Sequence, residues 1–329
     1  MMDSPQITVV VPVYNMGRFL PRAMDALLAQ TFQDFEIIIV DDGSTDGSAD
    51  ICDRQAARDP RCSVVHKLNG GLSSARNCGL DHARGQFIIF PDPDDWVEPG
   101  YLAFLMELHA RCQTDLEICG HFVTNDDNER IHNSKGREIT LTPAQALERL
   151  MMPDAFCGFA WNKLYHLDII RRENLRFDEE LGMAQDLHFA FRYIRVCSSI
   201  TYSPLPQYHY YQEGGGVTNL ASPLSPRKLS GLKTYLKIAE LAREQYPVVE
   251  QAAYGTFFNM SLHFIYIYFA SKMKDQAVLT QLQDNLRNYQ RFFFTSKRHS
   301  ISHKFLGWLA MRTPRGYYWL KRAHQAGDN

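Results

Sequence analysis

The chain has 329 residues, of which 45% are hydrophobic and 22% charged, with 20 Gly and 15 Pro. This composition excludes a disordered polymer and a glycine-periodic fibre, and the length leaves room for one large domain or two modest ones. The formal charge of −2 joins two unlike parts: residues 1–270 hold 24 Lys and Arg against 34 Asp and Glu, a balance of −10, and residues 271–329 hold 11 against 3, a balance of +8. An acidic body with a basic tail predicts an anionic partner for the tail, either nucleic acid or a membrane surface.

In chain order, residues 7–13 form a β-branched run and residues 19–28 place apolar side chains at helical spacing. Residues 35–40 are a second apolar run, 48–57 are again helical, and Val64 and Val65 read as a short strand. Residues 73–83 predict a helix and 87–90 a further strand. Continuous apolar runs alternating with helices imply a parallel, doubly wound α/β sheet, in which ligands bind beyond the carboxyl ends of the strands.

Polar residues collect at those ends. Val11, Pro12, Val13, Tyr14 and Asn15 follow the first run, Asp41-Asp42-Gly43-Ser44-Thr45-Asp46 the second, and Pro91-Asp92-Pro93-Asp94-Asp95 the run at 87–90. Asp-Gly-Ser is also ordinary turn and helix-cap chemistry. Asp92, Asp94 and Asp95 are harder to read so, because three carboxylates within four residues repel unless donors or a cation compensate them. A hard divalent ion such as Mg²⁺ or Mn²⁺ suits them. Between the clusters, Asn69-Gly70-Gly71 leads through Ser73 into a helix carrying Arg76, whose planar fork matches phosphate oxygens. The segment is neither a Walker A loop nor a dinucleotide fingerprint, which argues against ATP hydrolysis and a nicotinamide cofactor.

Seven scattered cysteines with no C-x-x-C pair argue against a disulfide framework and a structural zinc site. Residues 1–5 lack the basic and apolar parts of a secretory signal, predicting a cytosolic chain with reduced thiols. The most apolar stretch, residues 257–270, contains Asn259, Ser261 and His263 and falls short of the ~20 residues a bilayer span needs.

Taken together and in order, Pro12-Val13-Tyr14-Asn15, Gln30-Thr31-Phe32, Asp41 to Asp46, Asn69-Gly70-Gly71 through Ala75-Arg76-Asn77, Asp92 to Asp95, Trp161-Asn162-Lys163-Leu164-Tyr165 and Gln185-Asp186-Leu187-His188-Phe189 resemble a family 2 glycosyltransferase. The likeness is to the GT-A, nucleotide-sugar-binding type that builds bacterial capsule, exopolysaccharide or lipopolysaccharide O-chains. It covers about residues 7–218. It implies a GT-A domain over 1–218, mostly parallel sheet flanked by helices; residues 219–329 read by their own pattern as a helical, basic and aromatic region.

The resemblance further implies an inverting transfer from a UDP-sugar, with Mn²⁺ or Mg²⁺. Pro12, Tyr14 and Asp42 match positions that hold uracil and ribose, and the nucleotide sugar as a whole is expected on Pro12, Val13, Tyr14, Asp42, Asn69, Arg76 and Asp94. Asp94 and Asp95, with Asp92 beside them, match the metal-binding carboxylates. Arg76 matches an arginine near the pyrophosphate or donor sugar, and Asp186 matches the catalytic base at the start of a helix over 187–196. Trp161, Asn162 and Lys163 are expected on the acceptor side. His121 reads as a strand-end residue.

Three departures from the family pattern stand out. Gln185 replaces the Glu that usually precedes the base, Pro93 stiffens the carboxylate loop, and Glu213 with Gly214, Gly215 and Gly216 occupies the loop that usually carries a cation to the diphosphate, leaving His209 as the nearby substitute.

Beyond residue 225 the pattern is helical at 229–242, 249–270 and 277–293. The second of these is apolar on too many sides for a single stripe, which fits a helix buried among helices or one against lipid. Further on, Lys297, Arg298, Phe305, Trp308, Arg315, Tyr317, Tyr318, Trp319, Lys321 and Arg322 interleave cations with aromatics. This favours an anionic membrane surface through residues 271–329 over nucleic acid, for which no binding fold is present. The expected acceptor is then a polyprenyl-diphosphate-linked glycan at the inner face of the cytoplasmic membrane.

Overall fold

The structure is a computed structural model and describes residues 4–126, 128–132, 136–152, 155–212, 223–296 and 299–327. The chain divides into two compact units, Met1–Gly216 and Val217–Asn329.

The first unit opens with β1 (Ile7–Val13), α1 (Leu20–Leu28), β2 (Phe35–Asp41), α2 (Ser48–Ala56), β3 (Cys62–His66), α3 (Leu72–His82) and β4 (Phe87–Ile89). Every residue of β1 and β2 is buried, as a parallel sheet covered on both faces requires. β1 lies between β2 and β4, with Val9 opposite Ile37 and Ile89. Leu20, Ala23, Met24 and Leu27 turn the inner face of α1 to the core. Helix α3 crosses β1 at Gly79, where a Cβ would stand 2.2 Å from Val10 Cγ1, so only glycine fits.

The rest of the unit comprises β5 (Trp96–Val97), α4 (Tyr101–Cys112), β6 (Leu116–Thr124), β7 (Glu129–His132), β8 (Ile139–Leu141), α5 (Pro143–Leu150), β9 (Lys163–His166), α6 (Leu167–Arg172), α7 (Gln185–Ile194) and β10 (Ile200–Tyr211). The strand order is β3-β2-β1-β4-β9-β6-β10-β5, with β7 on β6 and β8 on β10. The parallel expectation holds for β1 to β4. Beyond them the sheet is mixed, because β9 enters antiparallel between β4 and β6, and β10 runs parallel to β6 but antiparallel to β5 and β8.

Strand β10 is irregular between Tyr202 and Tyr208. Pro204 and Pro206 interrupt the ladder there, and Gly120 on β6 accommodates the Pro204 carbonyl, which a Cβ would meet at 2.2 Å. The shift sets Tyr208 and Tyr211 against the carboxylate turn that follows β4.

The second unit contains α8 (Pro226–Ala242), α9 (Pro247–Ala270), α10 (Gln276–Thr295), α11 (Ile301–Arg312) and α12 (Pro314–Gly327). Helix α9 packs against α8, α10, α11 and α12, with Phe257, Phe258, Leu262, Phe264, Ile265 and Ile267 all buried. Of the two readings of this apolar helix, burial among helices is the one observed. Among the described residues, no helix is long and apolar enough to cross a membrane.

Candidate active site

The first unit brings the strand-end clusters to one edge of the sheet. Val13 is buried and Tyr14 is 46% exposed. Asn15 adopts a left-handed conformation (φ 53°), from which its Oδ1 accepts from Thr45 N at 2.8 Å and its own N donates to Ser44 Oγ at 3.1 Å. The β1 and β2 loops are thereby tied together.

Asp42 is 2% exposed, and its carboxylate is fully engaged. It accepts from Gly70 N at 2.9 Å, Gly71 N at 2.7 Å and Lys67 Nζ at 2.6 Å, while Asn69 Nδ2 donates to its backbone oxygen at 2.9 Å. Gly43 and Gly71 have φ of +73° and +86°, which only glycine adopts freely. Lys67 is a residue that sequence reasoning missed, since nothing local marks it as the partner of Asp42.

Asp41 pairs with His66 Nδ1 at 2.9 Å and accepts from Ser44 N at 3.0 Å. Burial raises the Asp41 pKa, but the hydrogen bonds from Ser44 and His66 outweigh it and the net shift is downward. The bonds to Asp41 and Asp53 raise His66 in turn.

In the turn after β4, the three aspartates separate into different roles. Asp95 points inward: it is 1% exposed, accepting from Tyr208 Oη at 2.7 Å and Tyr211 N at 2.8 Å. Burial, reinforced by Asp94 and Asp92, drives its carboxyl far above the usual range. Of the three expected metal carboxylates, Asp95 is thus the one whose two oxygens both have protein donors. Asp92 and Asp94 are only partly buried. Arg22, also missed in the sequence, donates to the Asp94 backbone oxygen at 2.6 Å and packs its guanidinium 4.0 Å from the Trp96 ring centroid.

Arg76 is 0% exposed. It donates from Nη2 to Asp92 Oδ1 at 2.7 Å, and its Nη1 stands 3.5 Å from Asp186 Oδ2. Expected near the pyrophosphate or donor sugar, the Arg76 guanidinium is buried and joins two carboxylates of the cluster. Burial opposes the charge on Arg76, and Asp92 and Asp186 more than compensate. Asp92 rises to about 7, because burial with the nearby Asp94 and Asp186 charges outweighs the attraction of Arg76.

Asp186 lies in the first turn of α7, its side chain 16% exposed, with Gln185 before it buried. The predicted helix start at 187 moves to Gln185.

The residues expected to face an acceptor are interior. Trp161 is 1% exposed and stacks on Tyr208 at 4.1 Å between ring centroids, so it presents no open face to a sugar. Asn162 Nδ2 donates to Cys119 O at 3.0 Å. Lys163 Nζ donates to Phe159 O at 2.6 Å, Asn162 Oδ1 at 2.8 Å and Cys157 O at 3.0 Å, and burial lowers it to about 7. His209 is held between Glu98 (2.7 Å) and Glu129 (3.0 Å) and between the rings of Trp96 and Phe122. In this arrangement it is not a free cation for a diphosphate. His121 is buried and stacked on His132, and burial pushes it down to about 3. Residues 213–218 of the glycine-rich loop, and Lys297 and Arg298, lie outside the described residues.

The arrangement therefore offers a clamped glycine loop, two partly exposed carboxylates, and a third carboxylate linked to one of them through a buried arginine. Comparison with known proteins agrees in sequence and in fold. EpsH of Bacillus subtilis (strain 168), provisionally described as a glycosyltransferase, is 36% identical over 215 residues, covering 64% of this chain and 61% of that protein. The uncharacterized glycosyltransferase EpsJ of the same strain is 34% identical over 219 residues, covering 66% and 64%. The match thus spans less than two thirds of the length of either relative. Residues 1–349 of S. aureus TarS, solved in complex with UDP, superpose with a TM-score of 0.71 at 20% identity over 98% of this chain and 92% of that one. The profile of glycosyl transferase family 2 matches residues 8–172, and the chain belongs to that family.

Proposed function

We propose that this protein transfers a sugar from a UDP-sugar to a hydroxyl of a growing surface glycan, with inversion at the anomeric carbon. The observation that carries the reading is the Arg76 bridge, which sets a carboxylate suited to the donor diphosphate (Asp92) one guanidinium away from a carboxylate suited to deprotonating an acceptor (Asp186). The TarS structure with UDP supports a uridine nucleotide on this fold.

In this reading Asp186 accepts the proton of the attacking hydroxyl as its oxygen bonds to the anomeric carbon. The bond from that carbon to the diphosphate breaks, and UDP leaves with the electron pair. Pro12, Val13, Tyr14, Asp42 and Asn69 frame the nucleoside, with Asp42 holding the loop in shape. Asp92 and Asp94 are the residues that would hold Mg²⁺ or Mn²⁺. They are hard oxygen donors, and both remain partly exposed at the turn after β4. When bound, such an ion neutralises negative charge on the leaving diphosphate. Asp95, Trp161, Asn162 and Lys163 support the site from the interior.

The proposed acceptor is lipid-linked, and the membrane contact is assigned to the second unit. Phe305 and Trp308 on α11 and Trp319 and Leu320 on α12 are between 46% and 61% exposed. Arg312 lies over Trp308 and Arg322 over Trp319, an interfacial pairing of aromatic and cation.

A panel of UDP-sugars with a synthetic lipid-linked acceptor, assayed for UDP release with and without Mn²⁺, tests the reading. Metal-dependent release with one donor is expected. UDP binding without release from any donor would instead favour a non-catalytic nucleotide-sugar-binding subunit, a role that the uncharged Gln185 beside Asp186 would suit.

A further inference from the structure

A second cluster of chemistry-bearing side chains lies at the opposite end of the same sheet. Strand β4 begins at Phe87, opposite His166 of β9, whereas the proposed donor site follows the carboxyl end of β4. Around Phe87 gather His109 from the last turn of α4, Glu117 from β6 and His166 from the end of β9. Each offers one ligand atom, and all three atoms lie within 4.8 Å of one another.

Several features distinguish this trio from incidental packing. Glu117 is 0% exposed; its Oε1 accepts from Thr114 Oγ1 at 2.9 Å and lies 2.9 Å from His109 Nδ1. Its Oε2 is buried and has no hydrogen-bond partner, an arrangement that destabilises a fold unless something else meets that oxygen. His166 Nε2 donates to the Thr114 carbonyl at 3.1 Å, which fixes the tautomer and leaves the lone pair of the neutral ring on Nδ1. A backbone carbonyl on one imidazole nitrogen is the usual outer partner of a metal-bound histidine. The Phe87 ring packs edge-on against both imidazoles, at 4.8 and 4.7 Å, and encloses the cluster, while His109, with its side chain 21% exposed, leaves a route in.

We propose that His109, Glu117 and His166 form a structural site for a divalent transition metal of the Zn²⁺ class, which ties α4 to β6 and β9. Two imidazoles and a carboxylate, with water in a fourth position, suit Zn²⁺, Co²⁺ or Ni²⁺ and not Mg²⁺. Metal bonds of about 2.0–2.2 Å place tetrahedral ligand atoms about 3.3–3.6 Å apart, so metal binding would draw together three atoms that already lie within 4.8 Å. The cysteine spacing argues only against a thiolate site, and this one contains no sulfur. The site is separate from the Asp92 and Asp94 carboxylates and does not depend on the transferase reading.

The test is Co²⁺ titration of the metal-stripped full-length protein, read as a visible d–d absorption band, followed by displacement with Zn²⁺. An intense tetrahedral band equivalent to one Co²⁺ per chain is expected, retained in Asp94→Asn and lost in Glu117→Gln and His109→Asn. Zn²⁺ affinity in those two variants should fall by more than the ~10–100-fold that loss of an outer partner alone produces. If circular dichroism shows Glu117→Gln unfolded, His109→Asn decides, because that side chain is partly exposed. A wild-type protein without the band, or a band that survives in folded His109→Asn, overturns the proposal.

Discussion

Arg76 and Asp186 meet at 3.5 Å beneath the proposed donor site, the arginine fully buried and the carboxylate reaching the surface. Asp92 takes the other end of the same guanidinium. Removing the arginine therefore leaves two carboxylates without their counter-ion. Arg76→Met is expected to cost about 3 kcal/mol or more in urea unfolding, since breaking a buried pair strands a charge. Arg76→Met with Asp92→Asn should recover part of that loss, and a single mutant costing under about 1 kcal/mol would show that the bridge is structurally idle.

Asp186→Asn keeps the shape of the side chain and removes its basicity. Turnover with the active donor should fall by ~10²–10⁴-fold while UDP affinity, measured by calorimetry, stays within twofold of wild type. Equal turnover in the purified variant would take Asp186 out of the chemistry.

The Tyr208 hydroxyl accepts from Asp92 N at 3.0 Å and donates to Asp95 Oδ2 at 2.7 Å. Tyr208→Phe deprives the partly buried Asp92 amide and the buried Asp95 carboxyl of a partner and should lower stability by about 1–3 kcal/mol. Thermal melts read this directly, and an unchanged melting temperature would assign the shape of the carboxylate turn to Tyr211 alone.

His66 and Asp41 shift in opposite directions. With its pKa raised, His66 adds stability that is complete below the ordinary ~6.5 of an unfolded histidine and is lost as pH rises through the folded value. With its pKa lowered, Asp41 adds stability above the ordinary ~3.9 of an unfolded aspartate that is lost as pH falls through the folded value. The pair contributes fully only between those limits. Proton NMR of the His66 ring should show an elevated titration midpoint that returns toward the ordinary range in Asp41→Asn, and a midpoint indifferent to that substitution would refute the coupling.

Exposed Trp308 and Trp319 make the membrane proposal testable one side chain at a time. Flotation with anionic vesicles should fall at least tenfold in Trp308→Ala with Trp319→Ala, and should weaken as salt rises, because each cation near the surface contributes roughly 1 kcal/mol. Equal recovery of the double variant and wild type would point the basic tail to a different partner.

How much of this was legible in the sequence follows from the range of the interactions. The β-branched runs of β1 and β2 and the apolar face of α1 are local patterns, legible to within a residue or two. The carboxylate turn and Asp186 at the head of α7 were also visible, as motifs. The antiparallel entry of β9 was not, because pairing with β4 and β6 is set by residues far apart in the chain. For the same reason the burial of Arg76 is not legible in the sequence: it depends on Asp92, Asp186 and Phe177 converging on it. The burial of Trp161 is likewise hidden in the sequence, because Tyr208, brought there by the irregular strand β10, covers its face.

The clamp on Asp42 has a consequence for kinetics. Its carboxylate saturates the amides of Gly70 and Gly71 from within, so an anion of the protein's own already holds the loop in its folded shape. A nucleotide arriving there meets rigid backbone and loses little chain entropy on docking. Association should then proceed without a slow ordering phase, at a rate set by encounter and orientation.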